Sequence, residues 1–171
     1  MGQPVQTGGG PVFALARTRY GDIVSGGADG KVRVWQNGQI IRTFTTNQDG
    51  IYSLLALPDG NLLSGGADGT IRHWTEDGHL AQAPVIQSSH GKVWAIAQLS
   101  NGDLLSGGDD GRLKRWRNGR AIATYATPHN TVVSLVIRGN GDWFTGGSGG
   151  DLQIWRHEKP IGDRKSTRLN S

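Results

Sequence analysis

The 171-residue chain has no cysteine, one methionine and six prolines, and each scarcity excludes something. Without thiols there is no disulfide framework and no thiolate chemistry. A zinc ion would have only histidine and carboxylate to bind. No apolar run approaches the roughly 20 residues that a helical membrane span requires. The first residues, Met1-Gly2-Gln3-Pro4-Val5-Gln6-Thr7, have neither a basic start nor an apolar segment, so they do not read as a secretory signal. Gln6 stands where a myristoylation signal wants serine or threonine. These features suit a soluble protein of the cytoplasm, and we expect no metal, no cofactor and no membrane. Glycine is abundant instead, 28 residues or about 16%, roughly twice ordinary usage, with no every-third period that would indicate collagen.

The C-terminal string Asp163-Arg-Lys-Ser-Thr-Arg-Leu-Asn-Ser171 has no relation to what precedes it. It looks like a translated sequencing adapter, and 163–171 is expected to be a non-native tail outside the fold. The tail holds three basic residues and one acid, a net +2. The formal charge of +4 therefore falls to +2 without it, and general attraction to nucleic acid weakens accordingly.

What the chain has is a repeat. Ser25-Gly-Gly-Ala-Asp-Gly-Lys-Val-Arg-Val-Trp35 returns at Ser64–Trp74 and Ser106–Trp116, and more loosely at Thr145–Trp155. Successive tryptophans lie 39, 42 and 39 residues apart. Each unit opens on an apolar run (Val12–Ala16, Ile51–Leu55, Val93–Ala97, Val132–Val136) that fits a strand buried on both faces. Asp-Gly and Asn-Gly pairs then punctuate three further short strands, as tight hairpins require. No helical period appears, so the chain is all-β.

A unit of about 40 residues with Asp-Gly turns and a closing tryptophan resembles the WD40 repeat, and hence a β-propeller blade. The resemblance implies four blades of four antiparallel strands. They would span 8–44, 45–86, 87–125 and 126–162, the fourth with an incomplete outer strand. Residues 1–7 align with an outer strand of a preceding or closing blade. Four blades are fewer than such rings usually hold, so we expect an open portion of a larger ring, with further blades or a fused signalling module. The array is similar to bacterial WD40 arrays.

The resemblance also implies a hydrogen-bonded set of His, Ser/Thr, Asp and Trp in each blade. His90, Ser106, Asp110 and Trp116 match it in full. Ser25, Asp29 and Trp35 match with glycine near the histidine position, and Ser64, Asp68 and Trp74 match with Gln48 there. His129, Thr145 and Trp155 match with Gly149 in place of the acid. Because these residues recur from unit to unit, Ser106, His90 and Asp110 read as structural rather than as a catalytic triad.

Other chemistry is weakly supported. Gly26–Lys31 falls one residue short of a phosphate-loop spacing and lacks the Ser/Thr after lysine. Gly146–Asp151 lacks the nine-residue periodicity of calcium-binding nonapeptides. His73 and Arg115 stand where other units have Val34 and Ile154, and would either face solvent at a rim or bond between blades. Functional contacts are expected on the loop face, where Phe13, Tyr52, Trp94 and Val133 begin the inner strands. Lys92, Asp49, Asn130 and Arg112 surround them. The alternative for the aromatics is that they only wedge blades together. The expected function is a non-catalytic scaffold binding a protein or peptide. Two alternatives stand beside it: a small-ligand or enzymatic propeller with a central-channel site, and a binder of nucleic acid or an anionic surface. The last would use the basic 112–120 segment of Arg112, Lys114, Arg115, Arg117 and Arg120.

Overall fold

The structure, a computed structural model, describes residues 5–161. All of its regular structure is β. The first sheet holds β1 (Val12–Arg17), β2 (Ile23–Gly27), β3 (Lys31–Gln36) and β4 (Gln39–Thr45). The second holds β5 (Ile51–Ala56), β6 (Leu62–Gly66), β7 (Thr70–Trp74) and β8 (Ile86–Gln87). The third holds β9 (Val93–Gln98), β10 (Leu104–Gly108), β11 (Arg112–Arg117) and β12 (Arg120–Ala126). The fourth holds β13 (Val132–Ile137), β14 (Trp143–Gly147), β15 (Leu152–Arg156) and β16 (Lys159–Ile161). Every sheet is an antiparallel meander in chain order. The described part of the 1–7 segment, residues 5–7, joins no sheet, and the expected 163–171 tail lies outside the described residues.

Local chemistry dictates the hairpins. Asn37-Gly38 and Asn118-Gly119 join the third and fourth strands with positive φ at both positions (50° and 78°, 51° and 76°). Such a mirror-type turn matches the right-handed twist of the strands, and Asn-Gly adopts it at least cost. The second sheet departs from this scheme. Three extra residues between Trp74 and Trp116 leave only an isolated bridge from Trp74 to Leu80 before β8 resumes the outer strand.

Each sheet packs its inner strand onto the inner two strands of the sheet before it. The core is therefore three separate junctions rather than one centre. Ala14, Val24 and Val32 meet Ile51, Leu62 and Trp74 at the first. Leu63, Ile71 and Ile86 meet Val93, Ile96 and Trp116 at the second. Leu105 and Leu113 meet Val132, Trp143 and Trp155 at the third. Burying one such side chain is worth roughly 1.5–3 kcal/mol. Among the described residues the packing does not return from the fourth sheet to the first, so the sheets form an open arc. Its ends leave Val12, Leu15 and Ile23 exposed on the first sheet, and Val136 and Leu152 on the fourth.

Candidate functional site

The inner strands carry a shared irregularity. Register slips between Val12 and Ala14, between Ile51 and Ser53, between Val93 and Ala95, and between Val132 and Ser134. The residue left over at each slip is Phe13, Tyr52, Trp94 or Val133. A bulge re-aims the unpaired side chain, and here four bulges turn four apolar side chains out of the ladder at the same end of successive inner strands. Three of them meet. Phe13 stacks on Tyr52 with centroids 4.7 Å apart, and Tyr52 meets Trp94 edge to face at 4.5 Å. Both geometries are favourable for aromatic pairs. Phe13 is 43% exposed and Tyr52 and Trp94 are half-buried, so the row spans the blades without being covered by them.

Polar groups hold this row in place. Lys92 sets its ammonium 5.2 Å from the Tyr52 centroid and 5.9 Å from the Trp94 centroid. The Trp94 indole N–H donates to Asp109 Oδ1 at 2.6 Å, and the Lys92 backbone N–H donates to Oδ2 at 3.0 Å. Asp109 was missed by the sequence reading, although one signal was there: Ala28 and Ala67 occupy its position in the first two units. Asp49, Asn130 and Arg112 are all exposed, Asp49 with a positive φ of 56°.

Behind this face lies the repeat set. Each indole N–H donates to the hydroxyl of its unit: Trp35 to Ser25 at 2.7 Å, Trp74 to Ser64 at 2.7 Å, Trp116 to Ser106 at 2.8 Å, Trp155 to Thr145 at 3.0 Å. In the third sheet Ser106 lies 2.8 Å from His90 Nε2, and His90 Nδ1 lies 2.6 Å from Asp110. Ser106 accepts from Trp116, so its own proton goes to Nε2. His90 is then the neutral tautomer that donates from Nδ1. Burial, which outweighs the attraction of Asp110, lowers the His90 pKa and keeps the ring neutral. The His90 and Ser106 side chains are sealed from solvent, so no substrate reaches them as a triad.

The other sheets solve the same problem differently. Gln48 accepts from Ser64 and donates to Thr70 Oγ1 at 3.0 Å, and Thr70 donates onward to Asp68 at 2.8 Å. In the first sheet Arg33 binds Asp29 at 2.6 Å, and the hydrogen bond from Arg33 holds the Asp29 carboxyl below its usual range. The fourth sheet corrects the expectation that Gly149 leaves it without its acid. His129 Nδ1 lies 2.5 Å from Asp151, and Nε2 lies 3.0 Å from Thr145. The acid has moved two residues along the turn, and Gly149-Gly150 supplies the slack.

The basic 112–120 segment is largely spent inside the fold. Lys114 pairs with Asp110 at 3.2 Å and donates to the Ser88 carbonyl at 2.6 Å. Arg117 and Arg115 both grip Asp103, at 2.8 and 2.6 Å, and hold its carboxyl far below the usual carboxylate range. Arg115 also reaches Glu158 of the next sheet, so it is an inter-blade bond and not a rim group facing solvent. His73, at the equivalent position, buries Nε2 without a hydrogen-bond partner among the described residues.

Comparison with known proteins decides the family. The family described as WD domain, G-beta repeat matches residues 2–36, 38–75 and 83–117. The chain belongs to the WD40 repeat family. Its fold is similar to the WD40 β-propeller domain of Doa1, with a TM-score of 0.78 at 25% identity over 86% of this chain and 51% of that one. It is also similar to the computationally designed Ika4 protein (TM-score 0.72, 27% identity, 95% of this chain and 100% of that one). The designed Ika8 protein gives 0.68 at 26% identity, over 84% and 45%. The chain thus spans about half the length of the Doa1 and Ika8 chains. No curated protein matches it. WD40 propellers generally serve as protein-interaction scaffolds and not as enzymes, and they typically bind proteins or peptides.

Proposed function

We propose that this WD40 chain is a non-catalytic scaffold of the cytoplasm that captures a protein or peptide on the face where its inner strands begin. The observation that carries this reading is the row Phe13–Tyr52–Trp94, turned out of the sheets by one bulge per blade. A core wedge would not need to leave the ladder. Rigid aromatic anchors at the centre of an interface are where binding energy concentrates. Asp109 and Lys92 fix the Trp94 and Tyr52 rings before any partner arrives, which reduces the ordering cost of association. Exposed Asp49, Asn130 and Arg112 supply the polar rim. The charge of the 112–120 segment is mostly paired internally, which favours a peptide over nucleic acid.

The test is selection of ligands from a random-peptide phage library on the intact chain, followed by titration of the selected peptides against variants. Trp94→Ala and Tyr52→Ala should each weaken binding by at least about tenfold, equivalent to about 1.4 kcal/mol. Ile122→Ser, on an outer strand, should have no effect. Peptides that bind all three variants equally would remove the aromatic row from the function.

A further inference from the structure

The junction between the second and third blades lacks a ring that the junctions on either side of it have. In the first blade Phe44 pairs with Val32 and sets its ring 5.3 Å from Trp74 of the next blade. In the third, Tyr125 pairs with Leu113 and lies 5.4 and 5.9 Å from Trp143 and Trp155. In the second blade the register puts Ile86 opposite Ile71, in the place of those rings. Trp116, across this junction, packs with aliphatic side chains. The outer strand is also interrupted here. Between the Trp74–Leu80 bridge and Ile86, residues 81–85 lie outside the strands and Pro84 approaches the third blade, where a Cβ on Gly119 would lie 2.6 Å from its ring.

A hollow of about 400 Å³ results, within the roughly 300–1,000 Å³ of small-molecule sites. Ile71, Ile86, Leu104 and Trp116 are among its walls, and exposed Gln82 and Asn118 stand at its rim. It lies where the inner strands end, away from the end that carries Phe13, Tyr52 and Trp94. No Asp, Glu, Lys or Arg lines it among the described residues, which favours a neutral ligand.

One polar group here has no use within the fold. His73 lines the hollow, and its buried Nε2 has no hydrogen-bond partner among the described residues. Such a group is costly to leave unpaired. Polarity at this position and the ring beside it vary together from blade to blade. Val34 of the first blade accompanies Phe44, which has no hydroxyl. Arg115 of the third accompanies Tyr125, and the two share one carboxylate: the Tyr125 hydroxyl donates to Glu158 Oε2 at 2.6 Å and Arg115 bonds Oε1. His73 is polar like Arg115, yet Ile86 beside it brings neither ring nor hydroxyl.

We infer that this hollow is a binding site for a phenol, its ring laid against Trp116 and its hydroxyl bonded to the His73 ring. A hydroxyl both donates and accepts, so it answers a histidine nitrogen in either tautomer. The last side-chain torsion of histidine is broad, which lets the His73 ring turn to meet it. The phenol is either a free small molecule or the side chain of a tyrosine in a peptide.

An NMR titration of the isotope-labelled chain with para-cresol tests this, read at the Trp116 indole N–H and the Gly119 amide, with toluene as the ring without a hydroxyl. Saturable shifts at low millimolar para-cresol are expected, with affinity about threefold or more above that for toluene. His73→Val introduces the residue of the first blade and should retain toluene binding while losing the preference for para-cresol. N-acetyltyrosinamide separates the two sources. Saturable shifts at the same two groups assign the site to a tyrosine side chain, and their absence where para-cresol binds assigns it to a free phenol. No saturable shift with para-cresol, toluene bound as tightly, or a His73→Val variant that keeps the preference would overturn the inference.

Discussion

Replacing Asp110 with alanine separates the roles of two blades that look alike in sequence. Asp110 accepts from His90 Nδ1 at 2.6 Å and from the Arg112 backbone N–H at 3.1 Å, and it pairs with Lys114 at 3.2 Å. Its removal leaves a ring donor of a side chain with 0% exposure facing an apolar methyl group. An unsatisfied buried donor costs about 1–3 kcal/mol. The Asp110 side chain itself is 25% exposed, so water entering the vacated space recovers part of the loss. About 1–2 kcal/mol is the expected cost.

Asp68→Ala is the control. There Gln48 is already satisfied by Thr70 and Ser64, and Asp68 serves only Thr70 and Arg72. Its loss strands no buried ring and should cost roughly half as much, about 0.5–1 kcal/mol. Urea denaturation at one protein concentration reads both, with unchanged m-values confirming comparable unfolded states. Asp110→Asn retains an acceptor oxygen and should fall between wild type and Asp110→Ala. Equal costs for Asp110→Ala and Asp68→Ala would refute the claim that His90 makes the difference.

Gly107→Ala places a methyl 2.5 Å from the γ-methyl and 2.7 Å from the Cβ of buried Val132, and should destabilise by about 1–3 kcal/mol. Gly146→Ala meets only the Ser134 side chain and should cost less, as thermal melts of the two variants will show. Stability should also fall in acid in two stages. The unfolded chain protonates His90 near its ordinary value of 6.5 while the fold resists, so His90 stability is intact above that pH and is lost as pH falls below it. Asp29, Asp103 and Asp142 have depressed pKa values, so their contribution holds above about 3.8 and disappears below. A urea midpoint that stays flat from pH 7 to 5 would contradict the first stage.

The blades were legible because glycine, Asp-Gly turns and tryptophan recur at a spacing that no other fold explains. The bulges were not, because a bulge is a relation between two strands and the apolar runs read as uninterrupted in one. Asp151 was missed for a related reason. Position-by-position matching assigned its role to Gly149, whereas the turn needed only an acid whose carboxylate reaches His129. The basic 112–120 segment misled through its linear density. Asp103, which pairs with both Arg115 and Arg117, precedes them by 12 and 14 residues and is brought alongside only by the β10–β11 pairing.

The paired glycines join packing to the contact face. The first of each pair leaves room for the next blade, as at Gly107 against Val132. The second leaves room for the inner side of its own blade: a Cβ on Gly108 would lie 2.2 Å from the Lys92 carbonyl and 2.6 Å from His90. Gly108 pairs with Val93 and Gly107 with Ala95, so the bulge that turns out Trp94 falls between the two glycines. One dipeptide thus lets the following blade approach, lets His90 reach Ser106, and sets the slip that exposes the aromatic row. A substitution at the second glycine should therefore perturb ligand capture as well as stability, whereas one at the first should affect stability and the blade junction.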